Sequence, residues 1–199
     1  MKILVVSDKE SQYIWDYFDR DRFKDIDLIL SSGDLKAEYL SFLVTMIKAP
    51  LFYVHGNHDS HYTIKEPLGC INIDDQIITY KNIRILGLGG SQCYNNGIFQ
   101  YTEKQMENRI KKLKKTIKKH NGFDILLTHA PVYGIGDGKD LCHRGFKAFI
   151  TLLDQYNPKY LIHGHQHLNY GRNKRIHLYK NTYIINAYEY SIIEYQNNP

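Results

Sequence analysis

Five short polar blocks, each placed directly after an apolar run, constrain this chain more than any other feature of its sequence. The blocks are Ser7-Asp8-Lys9-Glu10, Ser32-Gly33-Asp34, Gly56-Asn57-His58-Asp59, Thr128-His129-Ala130 and His163-Gly164-His165-Gln166-His167. The apolar runs predict strands, and ligands of open α/β sheets bind outside the carboxyl ends of strands. We therefore expect the five blocks to converge on one edge of the fold.

The order of predicted elements in the first sixty residues favours an α/β fold. Strands predicted over residues 2–6, 27–30 and 51–54 alternate with helices predicted over residues 11–18 and 36–47. Such alternation indicates βαβ units, in which the strands are parallel.

The rest of the chain predicts a second sheet with further helices. Short strands at 71–73, 76–80 and 83–88 predict an antiparallel insertion that forms part of this sheet. Helices are predicted at 102–120 and 146–156, and strands at 124–127, 160–162, 177–179, 182–186 and 188–195. No repeat or linker interrupts this order, so we expect residues 1–199 to form a single domain. The Tyr-rich tail fits either a sheet edge or a dimer surface.

Charge and cysteine usage limit the partners and the compartment. The formal net charge is +5, but much of the excess lies in residues 109–119, where apolar residues recur at helical spacing. The lysines then form the solvent face of an amphipathic helix, so we expect no nucleic-acid polymer as partner. Three unpatterned cysteines indicate reduced thiols and a cytoplasmic location. No apolar run approaches the ~20 residues of a membrane span, and no signal peptide is evident.

The residue types in the blocks predict a centre for two divalent cations. Carboxylates, an amide and imidazoles suit cations of borderline hardness. Asp34 follows a glycine that permits close backbone approach and could bridge two ions, while His165 and His167 can point the same way from an extended segment. His58 would then be a free acid near a leaving group, oriented by Asp59.

At these blocks the chain resembles the calcineurin-like metallophosphoesterase superfamily, whose motifs read Asp-x-His, Gly-Asp, Gly-Asn-His-Asp/Glu, a lone His and Gly-His-x-His. The resemblance implies a four-layer αββα sandwich of two mixed sheets flanked by helices. It also implies two divalent metal ions, with Mn expected first and Fe, Mg or Zn as alternatives. By this likeness Asp8, Asp34 and His167 serve one ion, whereas Asp34, Asn57, His129 and His165 serve the other. His58 is then the catalytic acid, and the loop after His129 looks like that of a compact phosphodiesterase branch.

Glu10 departs from the family pattern, because a histidine usually stands at its position. Either Glu10 binds the first metal ion or that ion lacks a ligand. If Glu10 binds it, the ligand charge from Asp8, Glu10 and Asp34 is −3. This more negative centre favours Mn²⁺ or Mg²⁺ over Zn²⁺ and disfavours dianionic monoesters.

These features predict a metal-dependent phosphoesterase that hydrolyses small phosphodiesters through a hydroxide bridging two metal ions. Only the loops at 60–70, 91–101 and 132–145 remain to build a pocket, which favours a small substrate, and His143 is the candidate for substrate binding. The alternatives are a catalytically silent scaffold for protein binding, a phosphomonoesterase or phosphoprotein phosphatase, and a nuclease. The sequence leaves the oligomeric state open.

Overall fold

The computed structural model describes residues 1–168 and 174–196. In chain order the strands are β1 (Lys2–Ser7), β2 (Leu28–Ser31), β3 (Leu51–Tyr53), β4 (Ile71–Asn72), β5 (Ile77–Tyr80), β6 (Ile83–Leu88), β7 (Ser91–Gln92), β8 (Gln100–Tyr101), β9 (Ile125–Thr128), β10 (Tyr160–His163), β11 (Ile176–Tyr179), β12 (Thr182–Asn186) and β13 (Glu189–Glu194). The helices are α1 (Gln12–Trp15), α2 (Arg20–Phe23), α3 (Ala37–Ile47), α4 (Glu103–Lys119) and α5 (Lys147–Tyr156), and Asp59–Thr63 forms a 3₁₀ turn.

The strands form two large mixed sheets. The first has the order β13-β1-β2-β3-β4, in which only β13 runs antiparallel to its neighbour. The second has the order β11-β12-β10-β9-β6-β5, with antiparallel pairs at its two edges and parallel strands between them. Because the central strands of each sheet are parallel, their carboxyl ends lie together along one side of that sheet, perpendicular to the edge strands.

The two sheets pack face to face and the helices cover their outer faces. In β1, Ile3 and Val5 join a core shared with the second sheet, whereas Leu4 and Val6 pack with residues of α1, α2 and α3. A separate core lies between the second sheet and α4 and α5. Strands buried on both faces read as continuous apolar runs rather than alternating ones. The expected four-layer αββα sandwich is confirmed.

The prediction for residues 71–73 is wrong in its sheet and direction. The strand β4 pairs with β3 in the first sheet, and this pairing is parallel. The side chain of Ile73 is fully buried in the core between the sheets, and its N–H bonds the Tyr53 carbonyl at 2.9 Å. Only β5 and β6 form the expected antiparallel hairpin, joined by a turn in which Lys81 and Asn82 both have positive φ.

The helix predicted at residues 11–18 is longer than the observed one: α1 covers only Gln12–Trp15, and the separate helix α2 begins beyond the predicted range. Asp19 has extended backbone angles and accepts a hydrogen bond from Asp21 N at 2.9 Å, so it begins a new helix. Between α1 and α2, Phe18 stacks on Phe23 with ring centroids 5.7 Å apart.

The basic helix and the tail agree with their predicted positions. Thr102 and Gln105 form a reciprocal capping box at the start of α4, and the side chains of Met106, Leu113 and Ile117 are buried. The Tyr-rich tail supplies β13 at one edge of the first sheet, and β11 and β12 at one side of the second. No helix in the described ranges has the length and apolar character needed to cross a bilayer.

Candidate metal centre

The five polar blocks follow the carboxyl ends of β1, β2, β3, β9 and β10, which belong to both sheets. Backbone hydrogen bonds join neighbouring blocks: Asp8 N donates to Gly33 O at 3.1 Å, and Gly164 N donates to His129 O at 3.0 Å. The His129 side chain connects the sheets, since its Nδ1 lies 2.7 Å from Ser32 O. The edge shared by the two sheets is therefore also where their polar blocks meet.

Two glycines allow the β2 and β3 blocks to touch. A Cβ at Gly33 would overlap Gly56 N, and it would lie 2.8 Å from the carbonyl carbon of His55. A Cβ at Gly56 would overlap the Asp34 carboxylate and would lie 2.6 Å from Asp34 N. The close approach expected at Gly33 is confirmed, and Gly56 is equally constrained.

Three acidic or imidazole side chains at this edge stand on backbones of positive φ. The values are 63° for Asp8, 57° for Asp34 and 64° for His165. Non-glycine residues rarely adopt this region, and they do so mainly where surrounding structure compels it. At each of these strand ends the sharp turn directs a polar side chain into the site.

Four donor atoms from four blocks surround one point. His129 Nε2 lies 2.8 Å from Asn57 Oδ1, 3.1 Å from His165 Nδ1 and 3.3 Å from Asp34 Oδ2. The side chains of Asn57, His129 and His165 are buried. A set of nitrogen and oxygen donors at this spacing fits a divalent transition-metal cation.

The hydrogen bonds on the far side of each ring fix which nitrogens offer lone pairs. His129 Nδ1 faces Ser32 O, and His165 Nε2 faces Cys142 O at 2.7 Å. Carbonyl oxygens only accept, so these nitrogens carry the protons of the neutral rings. In the neutral rings the lone pairs of His129 Nε2 and His165 Nδ1 then face each other beside two oxygens. These lone pairs repel one another unless a cation lies between them, so the arrangement suits a bound metal ion.

Without a metal ion, a proton on His129 compensates the acidic charge. Burial alone would lower the pKa of His129, but the adjacent Asp34 carboxylate raises it to about 9. Burial opposes ionisation of Asp34 as well, yet the attraction of His129 lowers its pKa to about 2. Burial and repulsion by His129 lower the pKa of His165 to about 3. The site therefore already holds one cationic group beside Asp34.

The other predicted metal ligands lie around this point without closing on a second one. Both carboxylate oxygens of Asp8 accept from His165 N at 2.9 Å. Glu10 Oε1 accepts from Lys36 N at 3.1 Å. His167 is exposed, and its ring lies 5.1 Å from the Tyr188 ring between centroids.

His58 and Asp59 differ sharply in environment. His58 is exposed at the rim, and its N–H donates to Asp34 Oδ1 at 2.7 Å. Asp59 is fully buried, and its Oδ2 accepts from Gly56 N at 2.7 Å and from Asp34 N at 2.9 Å. Within the described ranges the Asp59 carboxylate bonds backbone amides rather than the His58 ring. Its contacts fix the turn that carries the site.

His143 lies at the mouth of the site in the loop that precedes α5. Its ring centroid is 5.3 Å from that of His165, and its Nδ1 lies 2.9 Å from Asp140 Oδ1. Gln166 Nε2 donates to His143 O at 2.7 Å, which ties this loop to the end of β10. Asp140, Cys142 and His143 also carry side chains of metal-ligating types, whose ligand atoms lie within 4.8 Å of one another.

Sequence reasoning missed two supporting contacts of the site. The Tyr94 hydroxyl accepts from Asn57 Nδ2 at 3.0 Å, which orients Asn57 Oδ1 towards His129. Asp74 Oδ2 accepts from His55 N at 3.0 Å and lies 2.6 Å from His55 Nδ1, just before the Asn57 block. Tyr94 and Asp74 stand in no recognisable motif, so only their position in the fold reveals them.

Comparisons with known proteins agree with this architecture. A family model described as calcineurin-like phosphoesterase matches residues 1–169. The crystal structure of TT1561 from Thermus thermophilus superposes with a TM-score of 0.63 at 16% identity, covering 94% of this chain and 89% of that one. This likeness concerns the fold alone.

Two curated relatives are similar in sequence. An uncharacterized protein of Methanocaldococcus jannaschii is 32% identical over 122 residues, which is 57% of this chain and 54% of the relative. An uncharacterized metallophosphoesterase of Helicobacter pylori is 27% identical over 154 residues, which is 72% of this chain and 36% of the relative. The chain thus spans about half of the first relative and about a third of the second. Because the family model extends over most of its length, the chain belongs to the calcineurin-like phosphoesterase family.

Proposed function

We propose that this chain is a metal-dependent phosphoesterase that acts on small phosphodiesters. The observation that supports it is the convergence of Asp34, Asn57, His129 and His165 on one point, with nitrogen and oxygen atoms of the other three 2.8–3.3 Å from His129 Nε2. Family membership supports a phosphoester as the substrate and divalent metal ions as cofactors. Asp34, Asn57, His129 and His165 would hold one ion, and Asp8, Asp34 and His167 would hold a second.

Bound divalent ions would neutralise phosphoryl oxygens and make a water more acidic. The chain's own groups supply the rest of the chemistry. His58 is exposed at the rim and anchored through its N–H to Asp34, so its ring can protonate a departing alkoxide. His143, beside His165, can contact the substrate from the opposite loop.

The charge of the site supports a diester over a monoester. Asp8, Glu10 and Asp34 place three carboxylates at the end of two adjacent strands, β1 and β2. A dianionic monoester meets more repulsion from these groups than a monoanionic diester does. We propose Mn²⁺ as the first ion to test, with Mg²⁺, Fe and Zn²⁺ as alternatives.

The test is Mn²⁺-dependent hydrolysis of bis-p-nitrophenyl phosphate and of p-nitrophenyl phosphate by the full chain. We expect faster turnover of the diester, and we expect His58→Ala to slow it by about 10²–10⁴-fold, because the leaving group loses its acid. His61→Ala is the matched control, since His61 is an exposed histidine three residues further on. Folded, metal-loaded protein without turnover of either ester would contradict the proposal and favour the scaffold alternative.

A further inference from the structure

The sequence leaves two alternatives for Glu10. Either it binds the first metal ion, or that ion lacks a ligand at this position. The carboxylate Oε1 of Glu10 accepts a hydrogen bond from Lys36 N at 3.1 Å. Lys36 is the residue that immediately precedes α3, an eleven-residue helix, and it has extended backbone angles. A carboxylate at a helix N-terminus is stabilised by the unpaired amides and by the helix dipole. The negative charge of Glu10 therefore already has a favourable partner.

A second contact fixes the Glu10 segment on α3. Ser11 N lies 3.4 Å from the hydroxyl of Tyr39, and the Tyr39 side chain is fully buried in the first turn of α3. The Trp15 ring stacks on the Tyr39 ring as well. The chain from Glu10 to Trp15 is thus held against α3.

The two ion positions consequently differ in how many of their ligand side chains already lie close together. Metal-binding side chains within residues 1–168 and 174–196 form two close groups, Asp34 with His129 and His165, and Asp140 with Cys142 and His143. Asp8, Glu10 and His167 belong to neither. The position around His129 is preformed and buried, whereas the Asp8 and His167 position depends on an exposed histidine.

We propose that Glu10 is a positioning residue for α3 rather than a metal ligand, and that the two ions therefore bind with unequal affinity. The ion at Asp34, Asn57, His129 and His165 binds tightly. The ion at Asp8, Asp34 and His167 binds at least about 10-fold more weakly, since even the loss of a supporting contact to a ligand costs this much. The free concentration of divalent metal then regulates the site, in so far as the proposed two-ion function holds.

The test is a titration of the chelator-treated full chain with Mn²⁺, in which the electron paramagnetic resonance signal of free Mn²⁺ reports binding without any substrate. We expect one tight ion per chain and a second at least about 10-fold weaker. Glu10→Gln should leave both affinities within about threefold, because an amide oxygen accepts the same hydrogen bond from Lys36 N. Glu10→His should tighten the weaker ion by about 10-fold or more, because it adds a ligand.

Two ions of equal affinity in the wild type, or the loss of an ion in Glu10→Gln, would overturn the proposal. If Glu10→His does not fold, the wild-type and Glu10→Gln titrations decide by themselves. Unequal binding in a chain that hydrolyses neither ester would refute the proposed function alone. Equal binding in an active chain would refute this inference and leave the proposed function standing.

Discussion

Gly56 supports the Asp34 carboxylate through direct backbone contact. Since a Cβ there would overlap the carboxylate and lie 2.6 Å from Asp34 N, Gly56→Ala must displace the backbone that carries both residues. We expect it to cost about 2–3 kcal/mol of unfolding free energy and to abolish tight metal binding. Urea unfolding and a Mn²⁺ titration measure the two effects.

Gly134→Ala is the control for this prediction. Gly134 has a φ of +75°, and its Cβ would meet nothing within 4 Å. The substitution should cost only the strain of a left-handed alanine, about 1 kcal/mol, and it should leave metal binding intact. Equal effects of the two substitutions would show that steric overlap at Gly56 is unimportant.

The raised pKa of Asp59 predicts that the unfolding free energy of the metal-free chain depends on pH. Burial and the nearby Asp34 charge raise its pKa from 3.8 to about 6. The folded state therefore binds this proton more tightly than the unfolded state does. The stabilisation of the folded state by this proton is fully present below the pKa of Asp59 in the unfolded chain, and it is lost as pH rises through about 6.

The comparison with Asp59→Asn isolates this effect, because asparagine does not titrate and can accept both backbone hydrogen bonds. Relative to the variant, the wild type should lose up to about 3 kcal/mol of unfolding free energy between about pH 4 and about pH 7. Urea unfolding across this range gives the difference. A constant difference would mean that Asp59 keeps an ordinary pKa.

Asp74 joins three elements behind the site. Its carboxylate accepts from His55 N after β3 and from Gly89 N after β6, and it pairs with Arg109 of α4 at 3.5 Å. Because Asp74 is 17% exposed, removing it leaves two backbone amides without their acceptor and takes one carboxylate partner from the largely buried Arg109 guanidinium. We expect Asp74→Ala to cost about 3 kcal/mol and to weaken metal binding by about 10-fold or more, through the Asn57 turn.

Asp75→Ala is the matched control, since Asp75 also pairs with Arg109, at 3.0 Å, but is 49% exposed. Its loss should cost less than about 1 kcal/mol and leave metal affinity unchanged. Thermal unfolding and Mn²⁺ titration of both variants provide the measurement. Similar losses for the two aspartates would contradict a special role for Asp74.

At the scale of the molecule, the two sheets share one core. Ile3 and Val5 of the first sheet pack with Ile125 and Leu127 of the second. Neither sheet can therefore separate without exposing apolar surface of the other. We expect a single cooperative unfolding transition for residues 1–199, as a single domain requires.

Metal binding across the same edge should stabilise the whole chain. At a Mn²⁺ concentration about 100 times the dissociation constant, the gain is about 2.7 kcal/mol, seen as a higher midpoint with one transition. Scanning calorimetry with Mn²⁺ and with a chelator measures it. Two separate transitions would contradict the expectation of a single cooperative domain. An unfolding midpoint that Mn²⁺ does not raise would contradict the expectation of a metal site.

Strands buried on both faces were predictable from sequence because their apolar runs are continuous, as in β1 and β9. The basic helix was predictable because its spacing and its Thr102 cap agree. The two-residue strand β4 was not placed correctly, because so short a run carries no information about its partner. The helix predicted at 11–18 contains α1 but extends beyond its end, and α2 was not predicted, since its start depends on the local cap by Asp19.

The residues by themselves determined an α/β fold with two sheets and the position of the five polar blocks at strand ends, since apolar pattern and chain order depend on local residue types. The four-layer αββα arrangement followed from the resemblance of those blocks to the family. The tertiary structure alone decided which donor atoms meet. Asn57, His129 and His165 converge because the two sheets are joined at one edge, and ring tautomers depend on Ser32 and Cys142 carbonyls that are distant in the chain. It also turned Glu10 towards α3 and Asp59 towards backbone amides, because a side chain binds the partner that the fold places beside it.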